Sequence, residues 1–173
     1  MLVEWPIFGT YSIGSDINKI IGKDSGTQTQ WFGGVGINGD HALASTVTVG
    51  NPAIGVLIRR SAGHSNASLT GEYYLLIILN EINDPDFSCF SGIVKTNGDG
   101  FISGNGIFNR EGSLIGTEFI ATYTIYDDGE LLMFPLGSSV NWFQGAVNNN
   151  GTLATVASHS PHVGPSLMVF IKI

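Results

Sequence analysis

The sequence predicts an all-β protein, a single domain over residues 1–173 folded as an antiparallel up-and-down barrel of about 8–12 strands. Three observations predict it: short apolar runs divided by tight-turn dipeptides, a near absence of helical spacing, and a block of strands that recurs along the chain.

The turns come first. Asn38-Gly39, Asn97-Gly98, Asn105-Gly106, Asn150-Gly151 and Asp128-Gly129 are dipeptides whose residues tolerate positive φ, as a two-residue hairpin requires. Spaced this closely, they make neighbouring strands antiparallel and leave no room for crossover helices. The stretch that best fits helical spacing is Ser15 to Lys23, with Ile17, Ile20 and Ile21 on one side and Ser15 or Asp16 as cap. Its isoleucines suit a strand equally well.

The recurrence is threefold in pieces. Thr10-Tyr11-Ser12-Ile13 matches Thr122-Tyr123-Thr124-Ile125, Trp31-Phe32-Gly33-Gly34 matches Trp142-Phe143-Gln144-Gly145, and Pro52-Ala53-Ile54 with Val56–Arg59 matches Pro165-Ser166-Leu167 with Val169–Lys172. The offsets are 112, 111 and 113 residues, so a block of strands occurs twice in order. Gly71-Glu72-Tyr73 and Phe90-Ser91-Gly92 ahead of Asn97-Gly98 read as a diverged middle copy, giving repeat units near residues 8–60, 69–118 and 119–173. Closing such a meander into a barrel removes the strand edges that an apolar chain cannot leave exposed.

Composition bounds the partners. Charged residues make up 12% of the chain, about half the usual share. With seven basic residues and a net charge of −7, a nucleic-acid partner is excluded, because phosphate binding needs clustered Lys and Arg. No apolar run approaches the ~18 residues of a membrane-spanning helix. Tyr73–Leu79, Val56–Ile58 and Leu167–Ile171 are apolar on both alternating faces. One face is expected to line the interior and the other to meet a second subunit, or a covering segment of the same chain. Met1-Leu2-Val3-Glu4-Trp5-Pro6 has no signal-peptide pattern, which points to the cytoplasm unless a leader has been removed.

Leu69-Thr70-Gly71-Glu72-Tyr73, followed by Phe90-Ser91-Gly92, Asn97-Gly98-Asp99-Gly100 and Thr122–Ile125 with Asp128-Gly129, resembles the small up-and-down barrels of the calycin and avidin type. Those families open on a Leu-x-Gly-x-aromatic strand and continue as Gly- and Thr-rich hairpins. The resemblance covers roughly residues 69–173 and implies an end-opening cavity for a small apolar molecule. The chain is also similar, more loosely, to allene-oxide-cyclase-like barrels, which oligomerise and reshape apolar ligands without a cofactor.

Motif chemistry is sparse. Gly34-Val35-Gly36-Ile37-Asn38-Gly39 has dinucleotide-loop spacing, but an Asn-Gly turn and a β-branched run follow where a helix is needed. Asn97-Gly98-Asp99-Gly100 lacks the carboxylates of a calcium loop at its first and twelfth positions, Lys95 and Gly106. Asn80–Asp86 gathers three carboxylates and reads as a solvated loop, with calcium as the alternative. Neither His41 nor His64 falls in a ligand pattern, and His159 with His162 offers two imidazoles and no third ligand. Cys89 reads as a small buried residue. No metal and no cofactor are implied.

What remains is aromatic. Alternation puts Phe119, Ala121, Tyr123 and Ile125 on one strand face and Glu118, Ile120, Thr122 and Thr124 on the other. The expected function is binding of a small apolar or aromatic ligand inside the barrel, lined by Tyr11, Trp31, Tyr73, Tyr123 and Trp142. A second reading is a cofactor-independent isomerase or cyclase using Tyr123 with Glu118 or Glu72 as acid and base. A third is a sugar-binding lectin with one site per repeat around Trp31 and Trp142. For each aromatic the plain alternative is core packing, with tyrosine hydroxyls satisfied by backbone.

Overall fold

The computed structural model describes residues 9–13, 19–24, 30–36, 39–46, 54–80, 87–158 and 164–173, with their side chains from Gly33 onward save those of Asn80 and Phe87. Among them every regular element is a strand except the 3-10 turn Asn66–Ser68. The chain divides into two compact units, Met1–Arg59 and Arg60–Ile173.

The first unit is a five-stranded antiparallel meander: β1 (Gly9–Ile13), β2 (Lys19–Asp24), β3 (Gln30–Val35), β4 (His41–Thr46) and β5 (Ile54–Ile58), paired in that order. The helical option over Ser15–Lys23 is therefore not taken: Lys19–Lys23 lies in β2, where its β-branched isoleucines fit the pleat. Residues 14–18 lie outside the described residues.

The second unit is the barrel. β6 (Thr70–Asn80), β7 (Phe87–Asn97), β8 (Phe101–Arg110), β9 (Ser113–Ile125), β10 (Glu130–Pro135), β11 (Phe143–Val147), β12 (Leu153–Ser158) and β13 (Ser166–Lys172) pair in sequence, and β13 returns to β6. Closure is antiparallel, with Phe170 opposite Leu75 and Val169 opposite Leu76. Turn chemistry places most hairpins as expected: Gly98, Gly129 and Gly151 adopt positive φ between strands, and Glu111-Gly112 supplies a further two-residue turn with both residues at positive φ. Asn105-Gly106 is the exception. It sits within β8, with Gly106 opposite Gly92, because the Phe90 ring lies over both glycines and a Cβ on either would meet it within 3 Å.

Strand alternation then sorts the side chains. Tyr73, Leu75 and Ile77 of β6, Phe90 and Val94 of β7, Ala121, Tyr123 and Ile125 of β9 and Met168 and Phe170 of β13 point inward and are buried. Together with Ile102, Leu131, Met133, Phe143, Val147, Ala154 and Val156 they form one continuous core. An eight-stranded barrel is just wide enough for its own side chains to fill it. Outward residues of the same strands, such as Tyr74, Leu76, Ile93 and Ile171, are exposed.

One hairpin in each unit has the same backbone register. Trp31 pairs with Thr46 as Phe143 pairs with Ser158, each residue moved by 112 positions (143 − 31 and 158 − 46). The turn after it also matches: Gly36 N–H donates to His41 O at 2.8 Å and Gly39 N–H to Gly36 O at 2.8 Å, as Asn148 N–H donates to Leu153 O at 2.9 Å and Gly151 N–H to Asn148 O at 3.0 Å. β3–β4 and β11–β12 therefore share register and turn geometry. Register also corrects one match. Trp31 is equivalent to Phe143, not to Trp142, because pairing follows the backbone ladder and not the identity of the bulky residue.

Candidate functional site

The two ends of the barrel differ in kind. At one end the 3-10 turn Asn66–Ser68 carries Leu69, fully buried, into the core. The sequence beneath it is polar and every group is answered. Tyr123 Oη lies 2.6 Å from Thr96 Oγ1, 3.0 Å from Leu69 O and 3.2 Å from Asn66 O. The phenol has one proton to give to those carbonyls, so Thr96 donates to it, while Gly98 N–H donates to Thr96 Oγ1 at 3.2 Å. Tyr73 Oη donates to Gly151 O at 2.7 Å, and Asn66 Oδ1 accepts the Ile125 N–H at 2.7 Å. His64, buried against Gly129, sits between Ser61 Oγ at 3.1 Å and Ser68 Oγ at 3.2 Å. This end is a hydrogen-bonded plug.

The plug sets the acidity of its phenols. Burial pushes Tyr73 up to about 12, reinforced by neighbouring Tyr123. Burial also raises Tyr123, partly offset by the Thr96 hydroxyl. Both are held neutral, as a phenol donating to a backbone carbonyl must be.

At the opposite end the inner wall is apolar and incompletely covered. Phe90 and Phe143 are buried there, while Leu79, Phe108, Phe119 and Trp142 are only half-buried and pack against the core. Phe90 and Phe119 have ring centroids 6.0 Å apart and planes tilted by 37°. β8 and β9 bring Phe108 and Phe119 to this rim because both are longer than β10, which ends at Pro135. Three serines ring the same level. Ser158 Oγ accepts the Ser166 N–H at 3.0 Å and donates to Gly164 O at 2.8 Å. Ser88 is buried opposite Leu79, and Ser166 lies on the other flank of Leu79. Ser166 Oγ is buried and has no hydrogen-bond partner among the described residues. An unanswered buried hydroxyl costs about 1–3 kcal/mol, so a polar group beside Ser166 Oγ would be favoured.

The sequence-predicted residues divide accordingly. Tyr73 and Tyr123 come together, but in the plug. Trp142 stands at the opposite rim. Glu72 and Glu118 are exposed on the outer wall, Glu72 3.5 Å from Lys95, and neither shares a face with Tyr123. The side chains of Tyr11 and Trp31, residues 81–86 of the Asn80–Asp86 stretch, His159 and His162 lie outside the described residues. His41 bonds Asp40 at 2.6 Å, and Cys89 is half-buried on the outward face of β7. Sequence reasoning put Phe119 on one face with Tyr123 but missed Phe90, Phe108, Phe143 and Ser166. Their only signal was inward parity, legible once the strand ends were known.

Among the described residues no group of three or more His, Cys, Asp or Glu is placed to hold a metal, and no helix is long and apolar enough to cross a membrane. Compared with known proteins, the chain matches no family model, no curated protein and no solved structure. The class is defined by architecture: a closed, eight-stranded, antiparallel up-and-down barrel.

Proposed function

We propose that the barrel binds a small, uncharged apolar or aromatic molecule at its aromatic end. The observation that carries this reading is the half-buried set Leu79, Phe108, Phe119 and Trp142 at this end, with Leu79 paired to Ser166, whose buried hydroxyl has no partner among the described residues. Large apolar side chains gain roughly 1.5–3 kcal/mol each on full burial, and these four forfeit part of it. A ligand seated on them recovers that part, and one carbonyl or hydroxyl on it would answer Ser166. The resemblance to calycin- and avidin-type barrels supports the same reading, since Leu69-Thr70-Gly71-Glu72-Tyr73 leads into the first barrel strand. No charged side chain stands among the inward residues named at this rim, which favours a neutral ligand.

The test is saturable uptake of Nile red, an uncharged carbonyl-bearing dye, by the intact chain. Phe119→Asp and Phe108→Asp are expected to weaken uptake at least about tenfold, and Tyr74→Asp on the outer wall to leave it unchanged. Loss of uptake with Tyr74→Asp alone, or no saturable uptake at all, overturns the proposal.

A further inference from the structure

The hairpin β8–β9 extends past its neighbour. β9 pairs with β8 along its length from Ser113 to Thr122, but with β10 only from Ala121 to Ile125. Among the described residues, 113–120 therefore have a strand on one side only. The hairpin turn makes Arg110 and Ser113 a hydrogen-bonded pair, so the odd-numbered residues of this segment bond toward β8. By alternation the N–H and C=O groups of Leu114, Gly116, Glu118 and Ile120 face away from it. Among the described residues none of these groups takes part in a further backbone hydrogen bond.

This edge carries none of the usual guards. Between Ser113 and Ile120 there is no lysine, no proline and one charge, Glu118. Leu114 is 68% and Ile115 52% exposed, and they occupy opposite faces of the ribbon. An open row of backbone donors and acceptors is satisfied along its length by another extended strand and not by a globular surface.

We propose that this edge pairs with the same edge of a second copy, β9 against β9 in antiparallel sense about a twofold axis. The segment is compatible with itself. Centred on Gly116, the pairing sets glycine against glycine, lays Leu114 beside the aliphatic stem of the partner's Glu118, and keeps the two Glu118 carboxylates roughly 13 Å apart along the strands. The two barrels then share a continuous sheet through their β8–β9 ribbons. This inference is independent of the ligand reading.

Native mass spectrometry and light scattering of the intact chain test it, with twice 18.4 kDa as the expected mass. Gly116→Lys places a cation on the axis, and a Cβ at Gly116 meets nothing within 4 Å, so the fold accepts it. That variant is expected to keep the parent circular dichroism and melting behaviour of the barrel while weakening dimerisation about a hundredfold or more. Tyr74→Lys, on the exposed outer wall, is expected to leave the dimer intact. A parent mass of 18.4 kDa, a dimer that survives Gly116→Lys, or one dissolved by Tyr74→Lys instead, overturns the proposal.

Discussion

Strands β1–β5 and β9–β13 are both five-strand antiparallel meanders, and among the described residues only the second is part of a closed wall. Gly33 and Gly145 show how close they are. A Cβ on Gly33 would lie 1.9 Å from Leu43 O and 2.6 Å from Ala44 Cα, and one on Gly145 would lie 1.8 Å from Thr155 O and 2.7 Å from Val156 Cα. The difference lies in what flanks them. β9 and β13 each meet a further strand, β8 and β6, and their inward residues join a common core. Among the described residues β1 and β5 end their sheet. One strand pattern is thus compatible with an open sheet and a closed barrel, and three added strands decide between them.

The largest expected effect tests that difference directly. Gly145→Val should cost the barrel ~3 kcal/mol or more, because a cross-strand carbonyl occupies the space and cannot retreat from a closed wall. Gly33→Val should leave the barrel's urea transition within about 0.5 kcal/mol of the parent. One common transition lost in both variants would show that the two units stand or fall together.

The matched turns give the next contrast. Gly39 and Gly151 have φ of 67° and 65°, so alanine is strained at both. A Cβ at Gly39 meets nothing within 4 Å, whereas at Gly151 it would lie 1.9 Å from Ser68 O in the plug. Gly39→Ala should cost about 1 kcal/mol and Gly151→Ala about 3 kcal/mol, read from paired melting curves. Equal costs would mean that the plug does not press on that turn.

Tyr123→Phe removes the hydroxyl that ties Thr96 to Leu69 and should lower barrel stability by about 1–3 kcal/mol. A neutral result in chemical denaturation would separate the plug from the barrel's stability.

The last effect is on pH. Tyr73 is neutral in the folded chain up to about 12, while an unfolded tyrosine ionises near 10. The unfolded state therefore sheds a proton that the folded state keeps. The stabilisation is complete below pH ~10 and falls by about 1.4 kcal/mol per unit between ~10 and ~12. Stability that stays level across that window, followed with phenolate absorbance, would show Tyr73 reaching solvent.

Legibility from sequence tracked locality. The Asp128-Gly129 and Asn150-Gly151 turns were readable because positive φ is a demand met within two residues. The shared face of Phe119, Ala121, Tyr123 and Ile125 was readable because strand parity is local too. Asn105-Gly106 misled because the same dipeptide also serves where a ring from the next strand needs room. Trp142 misled because matching a bulky residue by identity ignored a one-residue change of register.

Strand type and hairpin order were thus determined by the chain itself, since each rests on contacts between near neighbours. Which end of the barrel was stoppered by Leu69 and which kept an aromatic rim was decided only in three dimensions. So was the exposed edge of β9. Those outcomes depend on where strands of unequal length finish relative to partners on the far side of the wall, and no local pattern encodes that.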